Sequence, residues 1–448
     1  MTNEAFHKKS SRRAFMLNSG ILAGGAMAAP LLSKANYFSG ADGTIKVALV
    51  GCGGRGTGAA MQALLSKQNV KLVAMADAFR DRLDECYKTL TADDISDYSS
   101  TVKNVKANVD VPEERKFVGF DGYLKAIPLA DVIILTTPPG FRPIHFEEAI
   151  KQDKHVFMEK PVATDPAGVQ RVLAAAAIAK QKKLNVVVGL QRHYQNSYRE
   201  LYKRKNLIGD IISAQAWWNN DGVWVRPRQA GQTEMEYQMR NWYYFNWLCG
   251  DHINEQHIHN IDAVNWFKGG YPVKAQGQGG RQVRKGKDNG EIFDHHFVEF
   301  TYADGSILNS QCRHIPGTMS RVDELLVGTK GKIHCGAGSI SDAKGKSLYQ
   351  FDSKLENNPY QTEHDELFAA IAKGEYKFAD AENGARSTMT SILGRMATYS
   401  GQIVEWDKAI NSGIDIHPKV YAWDAPPPIL PNADGFYPVA VPGVTKYV

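Results

Sequence analysis

From Ile45 onward, short apolar runs alternate with stretches of helical periodicity. Ile45 to Val50, Val70 to Ala76, Asp131 to Thr137, His155 to Met158 and Asn185 to Leu190 have the length of strands. They are apolar at nearly every position rather than every second one, the mark of strands buried on both faces. Thr57 to Leu65, Phe146 to Gln152 and Val169 to Lys183 lie between them and read as helices. The alternation predicts an α/β fold that opens with a doubly wound parallel sheet.

After Gln191 the texture changes. Ile211 to Trp218, His296 to Tyr302 and Ile307 to Cys312 read as half-exposed strands, separated by turns such as Ala303-Asp304-Gly305 and Asp288-Asn289-Gly290. This part predicts an α+β domain with a large, open, mostly antiparallel sheet. One long helix is expected from Glu382 to Trp406. The last forty residues, with Pro426-Pro427-Pro428, read as an extended arm on the surface or on a partner subunit. The expected boundaries are 44–192 for the first domain, 193–410 for the second and 411–448 for the arm.

The net charge of +5 does not imply a nucleic-acid partner. Residues 1–35 hold five basic residues (Lys8, Lys9, Arg12, Arg13, Lys34) against Glu4, and the remaining body is near +1. Cys52, Cys86, Cys249, Cys312 and Cys335 are scattered without CxxC spacing, so neither a disulfide framework nor a zinc site follows. Ser11-Arg12-Arg13-Ala14-Phe15 resembles a twin-arginine export signal. An Ala/Gly-rich apolar stretch from Leu17 to Leu32 and the small-residue exit Ser33-Lys34-Ala35 follow it. A periplasmic protein is expected, exported folded and without a membrane span once residues 1–35 are removed.

Gly51-Cys52-Gly53-Gly54-Arg55-Gly56 fits G-x-G-x-x-G between a strand and a helix, the context of a dinucleotide-binding Rossmann turn. Gly51 allows the tight turn, Gly53 the approach of a pyrophosphate, and Gly56 close helix–strand packing. The helix N-terminus with Gly54 and Arg55 faces the phosphates. Asp77 closes the second strand and can accept hydrogen bonds from the ribose hydroxyls, which favours NAD over NADP. Arg55 and Arg80 leave NADP as the alternative. Thr136, Thr137 and Pro138, at the end of the next strand, and His145 are expected to flank the cofactor.

Met158-Glu159-Lys160-Pro161 is a strand ending in Glu-Lys-Pro. With the glycine loop, it resembles the Gfo/Idh/MocA family of glucose–fructose oxidoreductase and inositol dehydrogenase. Val187 to Tyr194 and Gly250 to Trp266 resemble the family's later signature segments, so the likeness covers roughly residues 44–410. The resemblance implies a sugar oxidoreductase with Lys160 beside the nicotinamide and the reacting carbon, where it suits a proton relay. Glu159 is expected to pair with a cation. In the second segment the family's acid, histidine and aspartate fall on Glu255, His259 and Asp262. Read as one helix, Glu255 lies one turn from His259 and could orient it. Two departures stand out: Glu255 replaces the commoner Asp, and His257 occupies a place often held by a small residue. The general base is therefore open between Lys160, His257 and His259. A metal held by Asp251, His252, Glu255, His257 and His259 is the rival, but no H-E-x-x-H spacing supports it, and no metal is expected.

Six tryptophans fall between Trp217 and Trp266, with Trp218, Trp224, Trp242 and Trp247 among them, and Tyr243 lies close by. Aromatic faces suit the C–H faces of sugar rings. Arg192, Tyr194, Trp224, Tyr243 and Asp262 are the expected substrate-facing residues. The expected activity is hydride transfer between a sugar carbinol and a tightly held nicotinamide. Two alternatives are a redox-neutral NAD-dependent glycosidase acting by oxidation and elimination, and a non-catalytic sugar- or nucleotide-binding protein. The resemblance also implies a homodimer or homotetramer.

Overall fold

The computed structural model describes residues 43–96 and 102–446. The expected twin-arginine leader, residues 1–35, lies outside the described residues. Six parallel strands form the first sheet: β1 (Ile45–Val50), β2 (Val70–Asp77), β3 (Lys116–Val118), β4 (Val132–Leu135), β5 (His155–Met158) and β6 (Val186–Val188). Their order, β3-β2-β1-β4-β5-β6, is that of a doubly wound dinucleotide-binding sheet. Strands β1, β4 and β5 are buried along nearly their whole length, as their unbroken apolar runs require. The short β3 is the exception. Its Lys116-Phe117-Val118 is half exposed and carries no apolar run to predict it.

The second sheet has nine strands: β7 (Ile211–Asn220), β8 (Lys274–Gly280), β9 (His295–Thr301), β10 (Ile307–His314), β11 (Arg321–Gly328), β12 (Gly331–His334), β13 (Ser339–Asp342), β14 (Ser347–Gln350) and β15 (Val404–Glu405). The order is β14-β13-β12-β11-β7-β10-β9-β8-β15. Every neighbouring pair is antiparallel except β7 and β10. Strand β10 alternates half-exposed and buried side chains, the period-2 pattern of a sheet with one covered face.

Helix Ala381–Ser400 covers that sheet and packs on helix Pro166–Gln181 of the first domain. Residues 387 to 400 of it are all buried. At Gly394 a Cβ would stand 2.8 Å from the Phe300 ring, so the close approach needs glycine. The expected single helix from Glu382 to Trp406 is divided. Gly401, at φ +68°, caps the first part in the left-handed region, and the chain then adds β15 before the short helix Trp406–Ile410.

The chain also returns to the first domain. Helix Pro359–Ala372 packs on the glycine-loop helix Gly54–Leu64, with Leu367, Phe368 and Ile371 in the first domain's core. Ala379 then bridges in parallel to Val186 of β6. All five cysteines are buried and free. Among the described residues no helix is long and apolar enough to cross a membrane.

Residues 411–446 hold neither helix nor strand and run along this same chain. The Ile416 N–H donates to Asp165 Oδ2 (2.8 Å), and His417 Nδ1 lies 3.1 Å from both Asp165 and Asp415. Burial lowers the pKa of His417, but the bonds to these two carboxylates outweigh it and push the imidazole up to about 9. A raised folded-state pKa stabilises below the unfolded value, near 6.5, and the gain is lost as pH rises through about 9. The full shift corresponds to roughly 3 kcal/mol, of which roughly 2–3 kcal/mol is present at pH 7. His417→Gln is therefore expected to lower the unfolding free energy by about 2 kcal/mol at pH 7. The gap from wild type should close by pH 10, as followed by urea denaturation at both pH values. A gap independent of pH would show that the charge on His417 does not hold the arm.

Candidate active site

The glycine loop leaves β1 at Gly51. At φ +100° this residue adopts a backbone that few side chains tolerate, and a Cβ there would stand 2.5 Å from the Thr137 nitrogen. At Gly56 a Cβ would meet the Gly51 carbonyl oxygen at 1.9 Å. These two glycines are required by the chain's own packing. Gly53 and Gly54 are different: a Cβ at either would meet nothing within 4 Å. Both face a cavity of about 730 Å³ between the two domains, within the size range of sites for organic ligands. Their freedom from packing fits a loop kept bare for a pyrophosphate.

Asp77 lies on the same cavity. Its carboxylate accepts from the Cys52 N–H (2.6 Å) and the Phe79 N–H (2.8 Å). Burial raises its pKa and these N–H groups oppose the rise. Thr136 Oγ1 donates to the Gly51 carbonyl (2.6 Å) and tightens the turn. Thr137, Pro138 and His145 line the wall, with Thr137 Oγ1 3.2 Å from His145 Nδ1. Burial, then Arg142, pushes His145 down to about 3, so its ring is neutral. Arg55 pairs with Glu159 and donates to Gln62 (2.9 Å), which ties the glycine loop to the end of β5.

Lys160 crosses to the second domain. Its Nζ donates to the Glu255 backbone carbonyl and lies 3.3 Å from the Glu255 carboxylate. Burial raises the pKa of Glu255 against the pull of Lys160. His259 shares the wall and stacks against Trp218 at 5.9 Å. Burial, then Lys160, Arg192 and Arg55, holds its imidazole well below the ordinary range. The expected single helix through this segment is not formed. One helical turn, His252–Glu255, ends at Gln256, and a new helix runs Ile258–Lys268. Glu255 is thereby turned to Lys160 rather than to His259.

The cavity thus gathers Gly51, Gly53, Gly54, Arg55, Gly56, Asp77, Thr136, Thr137, Pro138, His145, Glu159, Lys160, Trp224, Glu255 and His259. Six other expected residues are engaged elsewhere. Arg80 is exposed and pairs with Asp84 and Glu113, while Arg82 takes the place on the wall. His257 is fully buried, its Nε2 2.7 Å from Ser310 Oγ. Arg192 pairs with Glu324. Tyr194 donates to Asp380 (2.7 Å). Asp262 accepts from Asn383 and Ser387 and meets His193 at 2.7 Å. Tyr243 is buried beside Glu255.

Of the six tryptophans, Trp218, Trp224 and Trp242 line the cavity. Trp217 lies under Arg321, Trp247 donates to Gln238, and Trp266 stacks on Tyr202. Residues not singled out in the sequence also reach the wall, among them Gln256, Arg142, Tyr123 and Tyr360. Gln256 accepts from Trp218 Nε1 (2.9 Å) and meets His314 Nε2 at 2.8 Å. Its place between two expected catalytic residues was the available signal. Among the described residues, Asp251, His252 and His296 bring possible ligand atoms within 4.8 Å of one another, as do Asp165, Asp415 and His417. His257 and His259 join neither group. Both Asp251 oxygens already accept hydrogen bonds within the chain, from His252, Phe293 and Tyr399.

A doubly wound sheet with a bare glycine turn and an aspartate on the following strand, closed by a second domain that supplies half the wall, defines a two-domain dinucleotide-binding protein. Its first domain can be placed further. Residues 45–190 match the model of the Gfo/Idh/MocA oxidoreductase family, described as an NAD-binding Rossmann fold. Inositol 2-dehydrogenase of Gluconacetobacter diazotrophicus is 28% identical over 155 residues, 34% of this chain and 40% of that protein. The 2,7-anhydro-N-acetylneuraminate hydratase of Escherichia coli is 24% identical over 210 residues, 46% of this chain and 51% of that protein. The chain spans about half the length of the curated relatives it matches. Scyllo-inositol dehydrogenase from Lactobacillus casei, solved with NAD(H) and scyllo-inositol, superposes with a TM-score of 0.60 at 19% identity, covering 81% of this chain and 99% of that one. Aldose-aldose oxidoreductase from Caulobacter crescentus gives 0.61 at 17% identity, with the same coverage. Both share the fold of this chain.

The two classes of glycine make separable predictions. Gly56→Ala should destabilise the fold by several kcal/mol, because its methyl overlaps a backbone oxygen. Gly53→Ala should fold with unchanged thermal midpoint yet bind NAD at least about tenfold more weakly by calorimetric titration. Equal NAD affinity in Gly53→Ala and wild type would remove the pyrophosphate from this loop.

Proposed function

We propose that this protein is an NAD-dependent oxidoreductase acting on a CH–OH group of a sugar or polyol. The observation that carries the reading is the meeting of Lys160, Glu255 and His259 in one cavity with the bare glycine loop and Asp77. Inositol dehydrogenases among the relatives, and the aromatic wall of Trp218, Trp224 and Trp242, favour a polyhydroxylated ring.

A nicotinamide bound in the cavity supplies or accepts the hydride. The chain's part is to bind, to orient and to move the proton. Oxidation of a carbinol releases one hydroxyl proton as the hydride leaves carbon. His259 is neutral and can accept it, and Lys160 can relay it to the raised carboxyl of Glu255. In reduction the same groups return the proton to the forming hydroxyl. Trp218 and Gln256 fix the wall beside His259. Export by the twin-arginine route belongs to this reading, supported by Ser11 to Phe15 and the apolar stretch after them. A protein working outside the cytoplasm would retain its nucleotide and cycle it internally.

The test is reduced-nicotinamide fluorescence of the purified protein, without added nucleotide, against a panel of sugars and polyols. One or more should produce emission. Lys160→Ala and His259→Asn should each lower the rate by about 10²–10⁴-fold while NAD remains bound. Release of an aglycone from a glycoside, with no net reduced nicotinamide, would assign oxidation–elimination instead. Full rates in both variants would sink the catalytic assignment.

A further inference from the structure

Gln256 stands on the cavity wall directly after Glu255 and shortly before His259. Its carboxamide is held from one side. Oε1 accepts from the indole Nε1 of Trp218 (2.9 Å) and lies 2.8 Å from Nε2 of His314. Nε2 has no acceptor among the described residues and is open to the cavity.

Which end of the amide faces the cavity is decided behind the wall. Arg284, buried in the connection between β8 and β9, donates from Nη1 to the Phe293 carbonyl and from Nη2 to Nδ1 of His314 (2.7 Å). A guanidinium can only donate, so Nδ1 of His314 is the acceptor. Burial, then His252 and Arg284, hold the imidazole of His314 well below its ordinary range. The neutral ring therefore carries its single proton on Nε2 and donates to Gln256 Oε1. The indole of Trp218 has no acceptor and donates to the same oxygen. With the amide reversed, its NH2 group would face two N–H donors, and both would be left without a bond. The chain thus pins a donor-only edge on the wall. Trp218 sets that edge beside His259, because the same indole stacks on the His259 ring at 5.9 Å.

We propose that Gln256 selects the substrate by hydrogen-bond polarity: its Nε2 donates to an oxygen on the carbon next to the reacting carbinol, so that the site takes a hydroxyl or carbonyl there and refuses an ammonium. This rests on the oxidoreductase reading above and names what that site requires of its sugar. In that reading Lys160 and His259 act on the reacting oxygen, so the donor beside them falls to the neighbouring one. A hydroxyl offers lone pairs to the amide, whereas an ammonium offers only N–H groups and sets donor against donor. A site built to bond one polar group rejects an analogue that cannot complete the bond far more strongly than one that differs by a methylene. Arg284 and His314 act through Gln256 and are positioning residues.

The experiment uses the NAD-loaded full-length protein at about pH 6, where an amine of ordinary basicity is an ammonium. Glucose is compared with 2-amino-2-deoxyglucose and 3-amino-3-deoxyglucose, with binding measured by calorimetry and hydride transfer by nicotinamide fluorescence. Glucose should bind at least about tenfold more tightly than one or both amino sugars. In Q256E one carboxylate oxygen can keep the bonds to Trp218 and His314 while the other faces the cavity as an acceptor, so the preference should reverse. R284M, which frees His314 to move its proton to Nδ1 and the amide to turn, should lose most of the preference through KM rather than kcat. R284K, still a donor to Nδ1, should retain it. Thermal unfolding reports whether each variant is folded, and Q256E carries the comparison if R284M is not. An unchanged preference in folded Q256E, with hydride transfer from glucose intact, would overturn the proposal and leave the redox reading standing. Reversal of binding in Q256E without hydride transfer from any sugar would uphold the polarity and overturn the redox reading. Neither binding nor transfer with any of the three sugars would overturn both. A loss of NAD affinity in Q256E as large as the loss for glucose would assign the carboxamide to the dinucleotide and overturn the proposal.

Discussion

Lys160 leaves the first sheet just beyond β5, and Glu255 ends a single helical turn of the second domain. Their contact places an ion pair at the floor of the cavity, where both side chains are largely withdrawn from water. Such a pair contributes little net stability, because desolvation offsets much of the attraction. Losing one partner is another matter, since an uncompensated charge then remains buried at a cost of about 3–5 kcal/mol. The pair therefore makes the site conditional on the docking of the two domains. With it in place, Lys160, Glu255 and His259 share one wall, and the glycine loop is held opposite through Arg55 and Glu159.

The same contacts set the electrostatics. Arg55 lies between Glu159 and the buried Glu363, whose carboxyl is raised well above its usual range by burial and then by Glu159. Lys160 has Glu255. The histidines near these cations are driven neutral, His145 and His259 by burial with positive neighbours adding to it. Arg55 with Glu159 and Lys160 with Glu255 thus carry charge as ion pairs on the cavity wall, and the imidazoles are left as neutral donors or acceptors. Proton transfer needs such a division: groups that hold charge in place, and beside them a group free to change it.

What could be read in the sequence follows the range of the interactions. The strands β1, β4 and β5 depend on burial on both faces, and the close contact of Gly56 with Gly51 on near neighbours in the chain, so local pattern reveals them. Glu159 was expected to meet a cation, but that this cation is Arg55, itself expected at the phosphates, is a long-range pairing that the motifs do not specify. The segment from Gly250 to Asp262 is where local reasoning fails. Helical spacing brings Glu255 to His259 only if the helix is continuous, and it breaks at Gln256 and His257. Arg192, Tyr194 and Asp262 look like site residues by position, but their partners, Glu324, Asp380, Asn383 and Ser387, come from more than a hundred residues away. No spacing rule foretells such pairings. Arg142 carried no motif, although its place after β4 is where a doubly wound sheet presents side chains to a ligand.

The path of the chain constrains how the cavity can open. After the second sheet, helix Pro359–Ala372 returns to cover the glycine-loop helix, Ala379 bridges to β6, and helix Ala381–Ser400 lies buried between the second sheet and helix Pro166–Gln181. The arm crosses once more, with His417 seated against Asp165 and Trp423 against Phe79 and Phe120 on the cavity wall. Hinge opening of the two domains would have to break the β6 bridge, expose the long helix and separate Lys160 from Glu255 at once. Movement at the rim, where Arg226, Arg240 and Trp224 stand, breaks only exposed pairs of small energy.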